Sequence, residues 1–326
     1  MKTAQCRVAV IGAGPGGLSV ATELKKLGVD KVTLLEREST AGGIPRHCGH
    51  SPFGMREFQR ILSGSEYTSR LTRQAEKAGV EIRLGTTVTE LGQSGELSLS
   101  DRGGLLLLEA DRVVICTGAR ETPRSARLVS GTRPQGVVTT GALQSMIYLK
   151  QQRPFKRPVI IGSEMVAFSA LLSCRHAGMK PVAMIEANPA LSWWRLAALF
   201  PRLLGTSVLT NTSLESIEGQ NRVQSVKIKQ ASGEILRLVC DGVIFTGKFV
   251  GESSLAKMAG LAIDSENNSP MVDVYGRCEN INYFSSGNLR SPLKTAGQCW
   301  REGHYIARQV KASLDGKLPD QWVPIE

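Results

Sequence analysis

The sequence predicts an α/β protein in which a doubly wound, Rossmann-like dinucleotide-binding unit is built twice. Three observations carry that prediction. The first is the apolar run Val8-Ala9-Val10-Ile11, which ends in Gly12-Ala13-Gly14-Pro15-Gly16-Gly17 and leads through a helical pattern to Val32-Thr33-Leu34-Leu35-Glu36. The second is its recurrence: Pro158-Val159-Ile160-Ile161-Gly162 opens another strand and turn, and Pro181-Val182-Ala183-Met184-Ile185 ends in Glu186. The third is a shared closing phrase, Asp111-Arg112-Val113-Val114-Ile115-Cys116-Thr117-Gly118 in the first half and Asp241-Gly242-Val243-Ile244-Phe245-Thr246-Gly247 in the second. Tandem units of this kind place a crevice between the halves.

In the first unit a buried strand turns sharply into a helix. Gly12 makes the turn, Gly14 lets a pyrophosphate approach the backbone, and Gly17 allows helix to pack closely on strand. Leu18, Ala21, Leu24 and Leu27 give the helix one apolar face, and Gly28 stops it. Glu36 follows Gly17 by 19 residues. A carboxylate there suits a ribose hydroxyl pair and repels a 2′-phosphate, so the unit should hold the ADP part of FAD or NAD.

At 326 residues the chain has room for two cores, and 34 glycines suit an α/β protein with many tight turns. The first strand is reached by Arg7, no apolar run is long enough to span a membrane, and a cytoplasmic protein is expected. Seven dispersed cysteines with no C-x-x-C or C-x-x-x-x-C pair give no disulfide framework, thiolate metal site or adjacent redox dithiol. The formal charge of +11 favours anionic cofactors, acidic small molecules or an acidic partner; without interleaved aromatic residues it does not argue for nucleic acid.

The stretch 119–157 is rich in Pro, Arg and Gly and reads as a crossover. The segment from Asn280 to Ala307 returns to a turn-then-helix pattern, as if the chain came back to finish its first domain.

Together these features resemble the pyridine nucleotide-disulfide oxidoreductase family, the two-dinucleotide-domain flavoproteins, over nearly the whole chain. Its length resembles the thioredoxin-reductase-sized branch. The resemblance implies a discontinuous FAD-binding domain (1–122 and 248–326), a linker (123–157) and an inserted NAD(P)-type domain (158–247). It assigns FAD contacts to Gly12, Gly14, Pro15, Gly16, Gly17, Glu36, Arg37, Gly43, Arg46, Val88, Thr117 and Gly118. Tyr283 to Asn288 resembles the second FAD motif, with Gly287 followed by Asn288 where Asp is usual; an amide still hydrogen-bonds a ribityl hydroxyl. Thr295 and Ala296 should begin a helix whose N–H groups point at the flavin pyrimidine.

The chain departs from the family in two ways. Disulfide reductases of the family carry a cysteine pair beside the flavin, whereas only Cys48 and Cys174 lie in the corresponding regions here. A thiol relay needs both an attacking and a resolving thiol, so disulfide reduction is not expected. In the second unit Gly162-Ser163-Glu164-Met165-Val166-Ala167 fills the G-x-G-x-x-[GA] positions, and Glu164 replaces the glycine over which a pyrophosphate lies. Its charge should weaken or abolish NAD(P)H binding, while Glu186 still suits an adenosine ribose.

The turn Gly42-Gly43 leads into a segment containing Arg46, His47, Cys48 and His50, which the resemblance places near the flavin ring. His47 is a candidate acid or base, Arg46 a candidate carboxylate or flavin anchor, and Cys48 a third candidate catalytic residue. Equally, Arg46 could pair with FAD phosphate and the histidines satisfy loop carbonyls. Three ligands within four residues do not wrap a tetrahedral ion, so no metal is expected. Cys299, near a helix start, is either a lowered-pKa thiol or a packed core residue. Leu191 to Phe200 is either a docking surface or a helix covering the second sheet.

The resemblance is strongest to FAD subunits of heteromeric dehydrogenases or oxidases acting on amino acids and related amines, such as opine, proline and hydroxyproline. It implies a small-molecule substrate, a partner oxidoreductase subunit and, because the chain ends at Glu326 without the cysteine-rich extension of longer members, a separate iron–sulfur protein. The rivals are a self-sufficient NAD(P)H-dependent FAD reductase feeding a ferredoxin or quinone, and a non-catalytic nucleotide-binding assembly protein.

Overall fold

The computed structural model describes residues 2–191 and 199–324. The aromatic stretch 192–198 lies outside the described residues. The chain divides into two compact units, one comprising Met1–Arg46, Ser51–Arg120 and Phe249–Glu326, the other His47–His50 and Glu121–Lys248.

The first unit is built on a seven-stranded sheet. Its parallel part runs in the order Glu81–Arg83, Val32–Leu35, Lys2–Ile11, Gly104–Ile115, and the returning strand Tyr283–Ser285 pairs in parallel with Val113 to Ile115. Glu96–Asp101 and Thr87–Leu91 add antiparallel strands. Because both faces are covered, the central strand is apolar on both sides. Val8 and Val10 pack with Leu34, Val114 and Phe284 beneath the helices, while Ala9 and Ile11 pack with Leu35, Val113 and Tyr283 on the other face.

Helix Pro15–Lys26 takes proline at its start, where the missing N–H has no helical partner to lose, and stops before Gly28, whose φ of 81° is a left-handed cap. Against it lies helix Ala296–Leu314, and Gly303 sets their separation: a Cβ there would come 2.6 Å from Ser19 Cβ and 2.8 Å from the Gly16 carbonyl oxygen. Gly303→Leu is expected to force the helices apart and cost about 1–3 kcal/mol in urea unfolding, the usual range for an overpacked core.

The second unit carries a five-stranded parallel sheet in the order Ser207–Leu209, Ala183–Ile185, Pro158–Ile161, Gly242–Phe245, Val137–Thr139. Helix Met165–His176 follows the strand Pro158–Ile161. An antiparallel ladder of Thr212–Gly219, Val223–Gln230 and Ile235–Val239 packs Ile217, Val226 and Ile228 against the other side of that sheet. Residues 123–157 belong to this unit and supply its edge strand. Among the described residues no helix is long and apolar enough to cross a membrane, and no group of three His, Cys, Asp or Glu could hold a metal ion.

Candidate cofactor site and active site

In the first unit, Gly12 and Gly17 of the opening motif are required by packing and Gly14 is not. Gly12 has φ 101°, and a Cβ on it would meet the Cys116 carbonyl oxygen at 2.5 Å; one on Gly17 would collide with the Gly12 carbonyl. Gly14 differs: its φ of −74° suits any residue, and nothing lies within 4 Å of where its Cβ would be. Packing within the protein therefore does not explain its missing side chain. An open face of this kind suits the close approach of a ligand.

The helix that begins here has no side chain capping its N-terminus and no acidic residue in its first turn. Elsewhere in the same unit the helices Gly64–Lys77 and Ala296–Leu314 each carry a complete capping box, from Ser63 with Glu66 and from Thr295 with Gln298. Uncapped N–H groups beside an open glycine form a seat for a pyrophosphate.

Glu36 is 8% exposed at the end of its strand. Its Oε2 accepts from Ala13 N–H at 2.9 Å and its Oε1 from Glu38 N–H at 3.0 Å, which fixes the carboxylate beside the turn with acceptor capacity to spare for a ribose. The Gly42-Gly43 turn closes over the same place, since a Cβ on Gly43 would come 2.9 Å from Gly14 Cα and one on Gly42 would meet Thr68. These features fit the ADP half of FAD.

On the flavin side of the motif, Thr117 Oγ1 donates to the Glu252 carbonyl at 2.7 Å, Glu252 N–H donates to the Gly118 carbonyl at 2.9 Å, and Gly118 holds φ 80°. Asn288 Oδ1 accepts from Lys294 N–H at 2.9 Å, ordering the turn that leads to Thr295 and Ala296. Gly287 N–H donates to Glu302 Oε2 at 2.8 Å, and Glu302 Oε1 also pairs with Arg290 at 3.2 Å and Lys294 at 2.6 Å. Glu302 carries no signal in the sequence, since its partners lie eight to fifteen residues earlier in no recognised pattern. Arg37 is exposed, and Val88 lies in the core on the far face of the sheet. Arg46 is turned to the Thr40 carbonyl at 3.1 Å and to Glu38 at 3.7 Å.

In the second unit, Cys48 is buried and its Sγ donates to Gln144 Oε1 at 3.5 Å. His50 Nε2 lies 2.6 Å from Ser169 Oγ, which accepts from Gln144 Nε2 at 2.7 Å. His47 ends the short turn Ile44–His47 that leads into this cluster. Burial pushes the thiols of Cys48, Cys174, Cys278 and Cys299 up to about 12 and those of Cys6 and Cys240 to about 11, and it raises that of Cys116 as well. All seven are buried thiols, protonated at neutral pH, with no disulfide among them. Cys48 is thus a neutral thiol, poorly suited to nucleophilic work.

The second glycine turn follows the first in its backbone. Gly162 has φ 123° and Glu164 occupies the helix N-cap with φ −72°. Ala167 is wholly buried. Glu186 Oε2 accepts from Ser163 Oγ, and its Oε1 accepts from both Asn188 nitrogens at 2.8 Å. Arg127, also unanticipated, donates to the carbonyls of Thr246 at 2.9 Å and Gly247 at 2.7 Å while lying over the Phe245 ring.

Known proteins agree with this architecture. One component of the opine oxidase of Rhizobium meliloti strain 1021 is 29% identical over 183 residues, 56% of this chain and 38% of that protein, so the match spans well under half of the relative. The ferredoxin–NAD(+) reductase component of the benzene 1,2-dioxygenase system of Pseudomonas putida is 25% identical across 98% of this chain and 78% of its own. In fold, the thioredoxin reductase of T. acidophilum superposes with a TM-score of 0.79 at 22% identity, covering 96% of this chain and 99% of that one. A profile of the pyridine nucleotide-disulphide oxidoreductases matches residues 6–303. With that match over most of its length and a cradle that fits FAD, the chain belongs to the pyridine nucleotide-disulphide oxidoreductase family and is an FAD-dependent oxidoreductase.

Proposed function

We propose that this chain is the FAD-carrying electron-transfer subunit of a multicomponent dehydrogenase or oxidase acting on amino acids or related amines. One observation carries the reading: a turn and helix that suit the ADP half of FAD stand in a chain whose seven cysteines are all buried thiols with no disulfide among them. Bound FAD exchanges an electron pair with a two-electron donor and single electrons with an acceptor. The chain's own groups would hold it in place: Gly14 and the uncapped helix would seat the pyrophosphate, Glu36 the ribose, and the turn around Asn288 the flavin end.

The opine oxidase relative supports the substrate class, both relatives, being named as components of larger systems, support a partner subunit, and the ferredoxin in the Pseudomonas relative's name supports an iron–sulfur protein as acceptor. The Pseudomonas relative also favours a second reading, a reductase that draws on NAD(P)H and feeds a ferredoxin or quinone, which the identity of residue 164 opposes. The leading reading is tested by reducing the purified holoprotein with dithionite and offering acceptors anaerobically. Ferricyanide and a [2Fe–2S] ferredoxin should reoxidise the flavin, two equivalents per flavin, while DTNB and thioredoxin disulfide should not. Sustained disulfide turnover would overturn it.

A further inference from the structure

In the two glycine turns the backbone runs alike and one side chain differs. Gly14 and Glu164 are both N-caps, with φ and ψ of −74° and 179° against −72° and 172°. The Glu164 side chain folds back into its own turn instead of reaching into solvent. Its Oε2 accepts from Ser163 N–H at 3.1 Å. A Cβ on Gly162 would lie 2.7 Å from that oxygen, and one on Gly247 would lie 2.7 Å from Oε1. The carboxylate therefore rests on the bare faces of the two glycines that end adjacent parallel strands. Its Oε1 is buried without a hydrogen-bond partner, so the group is held by packing and by the turn.

Arg127 braces this arrangement by binding the carbonyls on both sides of the Thr246–Gly247 peptide and the Thr122 carbonyl at 2.9 Å. Ser163 Oγ and both Asn188 nitrogens occupy the neighbouring Glu186.

We propose that Glu164 is a resident anion: its carboxylate fills the glycine turn beside which a dinucleotide pyrophosphate would lie, and the second unit thereby excludes NADH and NADPH. A tethered carboxylate loses no translational freedom on occupying the site, and it repels the two charges that would replace it. The residues of this turn do not fit the nucleotide for which the family is named. The inference deepens the electron-transfer reading, because it removes pyridine nucleotide as donor and leaves reduction to another protein of the complex.

The test is anaerobic titration of the holoprotein with NADH and NADPH, following flavin absorbance and nicotinamide fluorescence. The wild-type chain should show no bleaching and no saturable binding below about 1 mM, a weak-ligand limit of roughly 4 kcal/mol. Glu164→Gly should bind NADH at least tenfold more tightly, and Glu164→Ala, which any backbone at this φ accepts, should also gain. FAD content and circular dichroism verify that each variant is folded. Bleaching or micromolar binding in the wild type would overturn the inference, as would a folded Glu164→Gly and a folded Glu164→Ala that gain nothing. Those results would leave thiol-free electron transfer standing, whereas disulfide turnover would remove that reading and leave this one intact.

Discussion

Gly14→Glu should yield a folded chain that carries no FAD. The substitution places in the first unit the residue found at the matching position of the second. The backbone at Gly14 accepts any side chain and nothing lies within 4 Å of where its Cβ would be, so the apoprotein should still fold. What it loses is the seat: by the pattern of Glu164, the new carboxylate would fold into the glycine turn and set its charge against that of the pyrophosphate. We expect affinity for FAD to fall at least about 100-fold, roughly 2.7 kcal/mol, read as the ratio of flavin to protein absorbance after gel filtration. Far-UV circular dichroism and the melting midpoint should match those of the wild type stripped of FAD, the proper comparison because bound ligand itself stabilises. Gly12→Ala makes the contrast, since a Cβ there collides with Cys116 at a φ of 101° and should destabilise the fold itself. A flavin-replete Gly14→Glu chain would show that the pyrophosphate lies elsewhere.

Arg277→Ala should cost about 3–5 kcal/mol of stability, the range found when one member of a buried ion pair is deleted. Asp273 is 0% exposed and Arg277 3%, and Arg277 Nε meets Asp273 Oδ2 at 3.0 Å. Oδ1 of the same carboxylate accepts from the N–H groups of Tyr275 and Arg277, both at 2.9 Å, so Asp273 cannot turn elsewhere for a counter-charge. The other guanidinium nitrogens donate to the carbonyls of Pro319 at 2.8 Å and Gln321 at 2.9 Å. Truncation strands a charge and also releases the segment that these bonds hold. Urea unfolding should report the first effect and limited proteolysis near residues 319–323 the second. Replacing Asp273 and Arg277 together by Asn and Leu should cost less than Arg277→Ala alone, because no unpaired charge remains.

Both predictions depend on residues of very different legibility. Gly12, Gly14 and Gly17 are readable because the strand, turn and helix that give them meaning lie within thirty residues, and the apolar period is visible beside them. The returning strand Tyr283–Ser285 was legible for the same reason, as an apolar run before Gly287. Glu164 stood out as a departure from a spaced pattern, yet the sequence could not say that its side chain folds inward, since that depends on Gly247, some eighty residues later. Glu302, Arg127 and Arg277 gave no local signal, because a buried polar group is defined by partners that only the folded chain brings near. Family likeness places the segment His47–His50 near the flavin ring. Its hydrogen bonds to Gln144 and Ser169, about a hundred residues away, could not be inferred from its composition.

The paired turns also have a genetic consequence. Glycine and glutamate codons of the forms GGA and GAA, or GGG and GAG, differ by one transition. A single base change in one copy of a duplicated turn is therefore enough to give the glutamate that fills it, and the reverse change is enough to empty it. Selection in the laboratory for NADH-driven flavin reduction would need only this step at codon 164, with the rest of the repeat already in place. Cofactor dependence in such a chain is separated from its alternative by one of the commonest kinds of mutation.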